Sequence, residues 1–191
     1  TIDYCVVKIP RWTFEKFPGT EDYLTTSMKS VGEAMAIGRT FKEALQKGIR
    51  SLEIGRFGFG ADGKDLTGLS PDEIGQKLRQ PNSQRLFYLK AALESGMSVS
   101  EIYDLTGIDP WFLNNLKQIV ETEEKISSRG FQGLDEDFLR ICKQQGFSDR
   151  QLAWLTGTSS NDVRGLRKKL NILPVYKLVD TCAAEFEAYT P

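Results

Sequence analysis

The feature that most limits the fold is a repeat. Gly96-Met97-Ser98, Leu105-Thr106-Gly107 and Leu116 recur fifty residues later as Gly146-Phe147-Ser148, Leu155-Thr156-Gly157 and Leu166. In each copy a glycine ends one helix. A Ser with Glu or Gln three residues on (Ser98/Glu101, Ser148/Gln151) then caps a short helix, and a second glycine stops it before a further helix. Neither copy carries enough apolar surface to stand alone, so the two are expected to pack into one small helical domain.

The same grammar runs through the region beyond Pro81. Leu86, Leu89 and Leu93 mark an apolar face ended by Gly96. Asp109-Pro110 opens a long helix whose face is Phe112, Leu116, Ile119, Val120 and Ile126, and Gly130 closes it. Asp135 opens another, with Phe138, Leu139 and Cys142 on its face. The stretch before Pro81 reads differently. Residues Ile2 to Ile9 alternate as a strand, and Trp12, Phe14 and Phe17 crowd a turn ending at Pro18-Gly19. Val31, Ala34, Met35, Ala36 and Ile37 form a short, nearly uncharged run expected to be a buried strand. Thr40 with Glu43 then caps a helix whose face is Phe41, Leu45, Ile49 and Leu52.

Two strands and one helix do not complete a sheet domain, because strand edges and one face stay unpaired. Together with a chain that starts at Thr1 and stops at Pro191, this suggests a piece of a longer polypeptide. Gly58, Gly60, Gly63 and Gly68 invite a phosphate-loop reading. They lack the G-x-x-x-x-G-K-[ST] spacing, and a linker is expected there, followed by a short helix capped by Ser70 with Pro71 at its first position.

Composition excludes several chemistries. The chain has no histidine, which removes Ser-His and Cys-His nucleophile systems and the usual zinc and haem ligand sets. Cys5, Cys142 and Cys182 are far apart, so neither a disulfide framework nor a cysteine metal site is indicated. No apolar run approaches the roughly 20 residues of a membrane span, and no signal peptide is evident, so cytoplasm is the default expectation. Helix, glycine turn, helix is also the outline of a helix-turn-helix nucleic-acid reader, and Arg164, Arg167, Lys168 and Lys169 could meet phosphates. Against that alternative, the corresponding helix of the first copy is acidic and the pI is near 5.7.

Glu33 is the odd residue of its run. A carboxylate there must face solvent, find a partner such as Lys29 or Arg39, or line a polar cavity.

KIPRWTFEKFPG and MKSVGEAMAIGRTFKEALQKGIRSLE resemble the end of the first, carboxyphosphate ATP-grasp half of the large subunit of carbamoyl-phosphate synthase. IDPWFLNNLKQIVETEEKI, GFSDRQLAWLTG and VYKLVDTCAAEF resemble the helical oligomerisation domain that follows it. The resemblance implies a mainly α fold with a small truncated α/β (ATP-grasp) piece at the N-terminus. Residues 1–55 would close the ATP-grasp domain, 56–80 would be a linker with a short helix, 81–173 the oligomerisation domain, and 174–191 a connector to the second half. It implies membership of a glutamine-dependent ligase that uses bicarbonate, glutamine-derived ammonia and ATP with Mg²⁺ or Mn²⁺, serving arginine and pyrimidine synthesis. The nucleotide and metal ligands would lie outside this chain, so no catalytic, cofactor-binding or metal-binding residue is expected in it and the isolated fragment should be inactive. Met28 and Glu33 would line the carbamate tunnel. The implied partners are the rest of the large subunit, the small glutamine amidotransferase subunit and further copies through the helical domain, with neither nucleic acid nor membrane.

Overall fold

The helices begin where the capping residues stand. In the computed structural model, which describes residues 4–16, 19–176 and 179, Ser98 Oγ accepts from the Glu101 N–H and the Glu101 carboxylate accepts from Ser98 N, opening α4 (Val99–Thr106). Ser148 and Gln151 make the same box for α7 (Asp149–Thr156). Gly107 and Gly157 end these helices with φ of 67° and 64°, a left-handed conformation that glycine adopts without the Cβ penalty. Four helices complete the repeat region: α3 (Arg85–Glu94), α5 (Pro110–Arg129), α6 (Glu136–Gln144) and α8 (Ser160–Lys169). Asp109 and Asp135 cap α5 and α6 as expected, and a further box, Ser159 with Asp162, starts α8.

The 20-residue α5 is the axle of this body. It packs against α3, α4, α7 and α1, burying Leu113, Leu116, Ile119, Val120 and Ile126. The face starts at Leu113 and not at the expected Phe112, which is 43% exposed. The alternatives are consecutive residues, about 100° apart around the helix, and the Phe112 ring instead stacks edge-on against Phe41 and Trp111 at the surface.

At the N-terminal end, β1 (Cys5–Trp12) pairs antiparallel with β2 (Ser30–Gly38), with Val7 opposite Ala36 and Ile9 opposite Ala34. Thr40 caps α1 (Phe41–Ser51), but Glu43 reaches past the cap to accept from the Arg39 N–H at 2.8 Å. Because residues opposite one another share a sheet face, Val7, Ile9, Ala34 and Ala36 lie on one side, against α1, and Val6, Lys8, Glu33 and Met35 on the other. Among the described residues nothing covers that second side. β2 was expected to be a buried strand, yet Val31 is 58% and Met35 61% exposed, since only one face of the hairpin has a covering layer. Trp12 and Phe14 do meet, ring centroids 6.2 Å apart, while Phe17 lies outside the described residues.

Residues 56–80, expected as a linker with a short helix, contain α2 (Pro71–Arg79) on the Ser70 cap. They are also packed: Phe59, Ile74 and Leu78 join one apolar cluster that runs from Leu45 and Ile49 of α1 to Ile172. Gly58 and Gly60 serve close approach, because a Cβ on Gly58 would fall 2.4 Å from Gln151 Nε2 and one on Gly60 2.1 Å from Lys90 Cε. The fold is mainly helical, with a two-stranded hairpin at the N-terminus.

Candidate functional site

Of the two residues singled out for a passage, Glu33 sits on the uncovered side of the hairpin. Met28, in the loop before β2, is 88% exposed. Glu33 pairs with Lys8 of β1 at 2.6 Å, both side chains about half-exposed (52% and 55%). Its partner therefore comes from across the hairpin, where Lys8 lies opposite Met35, and Lys29 instead donates to the Tyr23 carbonyl. Beside them an open groove of about 430 Å³ runs between Arg11, Glu33 and Met35 on the strands and Ser51, Leu52 and Glu53 at the end of α1 and just beyond it.

Sequence reasoning missed a buried polar seam that fastens the glycine-rich segment to the helices. Gln46 of α1 accepts from the Phe59 N–H (3.2 Å) and from Gln151 Nε2 (2.8 Å), and donates to the Gln145 carbonyl (3.0 Å). Gln151 Nε2 also donates to the Gly60 carbonyl at 3.1 Å. Both glutamines are fully buried, and each satisfies groups that would be costly to leave unpaired. Next to them Arg56 pairs with Asp62 at 2.8 Å and lies over the Phe87 ring at 4.0 Å. Asp65 accepts from the Ala61 N–H at 2.9 Å, holding Ala61 at a φ of 58°.

Lys90 is the hub. Its ammonium meets Glu123 at 2.9 Å, Asp65 at 3.3 Å and Glu94, with only 3% of the side chain exposed. Burial alone would lower its pKa, but Glu123, Glu94 and Asp65 outweigh that and hold it above the ordinary lysine value. Three carboxylates around one cation leave a surplus of negative charge. Burial accordingly pushes the Glu123 carboxyl up to about 7 against the pull of Lys90, and its Oε1 has no hydrogen-bond partner. The only sequence clue was the position of Gln46, Lys90 and Glu123 on otherwise apolar helix faces.

Among the described residues no three acidic or cysteine side chains are grouped to hold a metal ion. The space a phosphate would need at Gly58 and Gly60 is filled by Gln46, Gln151 and Lys90. Burial pushes the Cys142 thiol up to about 12, so it is a core residue and not a nucleophile. Cys182 lies outside the described residues. Of the four cations weighed for nucleic acid, Arg167 is committed to Asp149 at 3.0 Å and to the Ile172 carbonyl at 2.9 Å. Among the described residues no helix is long and apolar enough to cross a membrane.

Fold and surface together define a mainly helical module that carries a two-stranded hairpin with Val31 and Met35 exposed. Residues 33–171 match the family described as carbamoyl-phosphate synthetase large chain, oligomerisation domain, and the chain belongs to that family. It is similar over its whole length to the carbamoyl phosphate synthase large chains of Synechocystis sp. (58% identical) and Archaeoglobus fulgidus (54%). It is also similar to the arginine-specific, chloroplastic large chain of Oryza sativa (49%). The chain spans 18% of the length of the first two relatives and 16% of the third.

Proposed function

We propose that this chain is the oligomerisation and scaffolding part of a glutamine-dependent carbamoyl-phosphate synthase, joined to the end of its carboxyphosphate ATP-grasp half. The observation that carries this reading is the pairing of an end-to-end likeness to large chains with a hairpin whose outer face is bare. A hairpin with Val31 and Met35 exposed on one face has the surface of an element that another layer covers. Under this reading bicarbonate, glutamine-derived ammonia, ATP and Mg²⁺ or Mn²⁺ are handled by the rest of the large subunit and by the small amidotransferase subunit. The setting is cytoplasmic, or plastidic where a relative is. The division at residues 55, 80 and 173 is kept as a proposal about segments of the parent, with 174–191 as the connector.

Met28 and Glu33 line the carbamate tunnel in this proposal. A carboxylate held by Lys8 at a groove edge stays hydrated, so it can border a polar passage without the cost of an unpaired buried charge. The test is Glu33→Ala in the full-length enzyme. The partial ATPase reactions should stay within about twofold while carbamoyl phosphate output per ATP falls about tenfold or more. Equal collapse of all reactions would assign Glu33 a structural role instead. The isolated chain is expected to show no bicarbonate-dependent ATP turnover and to self-associate in sedimentation velocity. An electrophoretic shift of duplex DNA at low salt would revive the helix-turn-helix alternative.

A further inference from the structure

A cleft on the opposite side of α1 has no part in the reading above. It lies between α1, α6 and the segment after α8, encloses about 560 Å³, and gathers Lys47, Arg50, Arg140, Lys143 and Arg167. Four of these cations have carboxylate partners. Lys47 pairs with Glu43 at 2.7 Å and Arg140 with Glu136 at 2.8 Å, while Lys143 and Arg167 share Asp149 at 2.9 and 3.0 Å.

Arg50 is different. Among the described residues it has no ion-pair partner: its Nη1 donates to the Gly146 carbonyl at 2.8 Å and, at 3.5 Å, to that of Phe57. Its Nε and Nη2 have no hydrogen-bond partner there and are not sealed from solvent. Glu43 and Asp149 act on it only from a distance, and burial holds its pKa below the ordinary arginine value. A largely buried guanidinium satisfied only by carbonyl groups is unfavourable unless an anion reaches it.

The surroundings indicate what kind of anion. Five cations face three carboxylates, so the cleft carries an excess of two positive charges. The fork of a guanidinium suits two oxygens of one phosphate. The volume is that of a small-molecule site, and Phe147, Ile172, Leu173 and Val175 supply an apolar wall. We propose that this cleft binds a small phosphate monoester, its phosphate on the free edge of Arg50 flanked by Lys47 and Lys143, and its organic part against Ile172, Leu173 and Val175. The proposal is independent of the tunnel and of self-association.

The test is an NMR titration of the ¹⁵N-labelled chain with phenyl phosphate, then with inorganic phosphate, at constant ionic strength with sodium chloride as the control. Saturable shifts are expected at the amides of Arg50, Lys143, Gly146 and Arg167, with phenyl phosphate binding at least about threefold tighter. Arg50→Gln should weaken binding about tenfold. Because that change also removes the bond to Gly146, Arg140→Gln, on the exposed rim, is the second variant and should weaken binding about threefold with an unchanged fold. Non-saturating shifts, shifts spread over unrelated lysines, or unaltered affinity in Arg140→Gln would overturn the site. Equal affinity for the two probes would overturn its assignment to a monoester.

Discussion

The helical body and the hairpin are built from similarly apolar sequence, and they differ in how far each closes on itself. In the body, α4 to α8 each start on a side-chain cap, and their apolar faces meet one another around α5. In the hairpin, α1 closes one face and leaves Val6, Val31 and Met35 on the other in contact with water. The comparison teaches that burial belongs to a pair of surfaces and not to a run of residues. Stability should therefore reside in the body, and the hairpin's outer face should matter only when another part of the parent covers it.

The largest expected contrast comes from truncating one side chain in each region. Leu139→Ala, at a fully buried site, should cost about 2–5 kcal/mol, whereas Met35→Ala should stay within about 0.5 kcal/mol. Urea midpoints by circular dichroism measure both. A Met35→Ala loss as large as that of Leu139→Ala would show that the outer face is already buried, for instance by self-association through the hairpin.

The seam between the regions comes next. Gln151→Ala would leave the Gly60 carbonyl without its donor and Gln46 Oε1 with the Phe59 N–H alone, at a cost of about 1–3 kcal/mol. Hydrogen exchange at the Phe59 amide, which Gln46 also holds, should accelerate in step. Unchanged exchange there would mean that the glycine-rich segment is held by Phe59 packing alone.

The pH dependence sharpens the same boundary, because the Lys90 hub lies in it. Facing Glu123 are Lys90 and Glu94 from α3 and Asp65 from the glycine-rich segment, with Arg56 and Asp62 behind Asp65. The folded pKa of Glu123 is raised, so the fold favours its protonated form. The stability this gives is present at low pH and is lost as pH rises from the ordinary carboxyl value through about 7. Asp149 acts in the opposite sense. Burial opposes it, but Arg167 and Lys143 hold its pKa below the ordinary aspartate range, so its contribution is lost as acid titrates it. Stability should peak on the acid side of neutrality, at about pH 4–5, and decline by on the order of 2–3 kcal/mol toward pH 8. Glu123→Gln should flatten that decline, and an unflattened decline would move its origin to another group.

These contrasts explain what could be read beforehand. Caps are pairs three residues apart, so Ser98/Glu101, Ser148/Gln151 and Asp135 were visible in the sequence, as was the resemblance to large chains. Lys8 meets Glu33 across the hairpin, and Gln46 meets Gln151 over a hundred positions, so neither partner had a local signature. Gly58 and Gly60 read as a linker because the side chains that fill their missing Cβ positions come from α1, α3 and α7. The bareness of β2 was illegible for a different reason: nothing in its apolar composition says whether the covering layer is present. The proposal that Met28 and Glu33 line a tunnel came from the resemblance, and the Arg50 cleft from neither motif nor pattern.

The smallest expected effect compares the two repeats at one equivalent atom. Ser98 and Ser148 cap α4 and α7 in the same way, and losing either cap should cost about 1 kcal/mol. Their surroundings differ, because Ser148 Oγ also donates to the Phe57 carbonyl at 3.0 Å, whereas Ser98 bonds only within its own box. Ser148→Ala should therefore cost a few tenths to about 1 kcal/mol more than Ser98→Ala, since it releases the glycine-rich segment as well as the helix. A double variant with Gln151→Ala separates the two contributions. If Ser148 acts partly through that segment, its extra cost should shrink once Gln151 no longer holds Gly60, whereas strict additivity would confine Ser148 to the helix end. Equal losses at Ser98 and Ser148 would show that the segment rests on the body without support from the second cap.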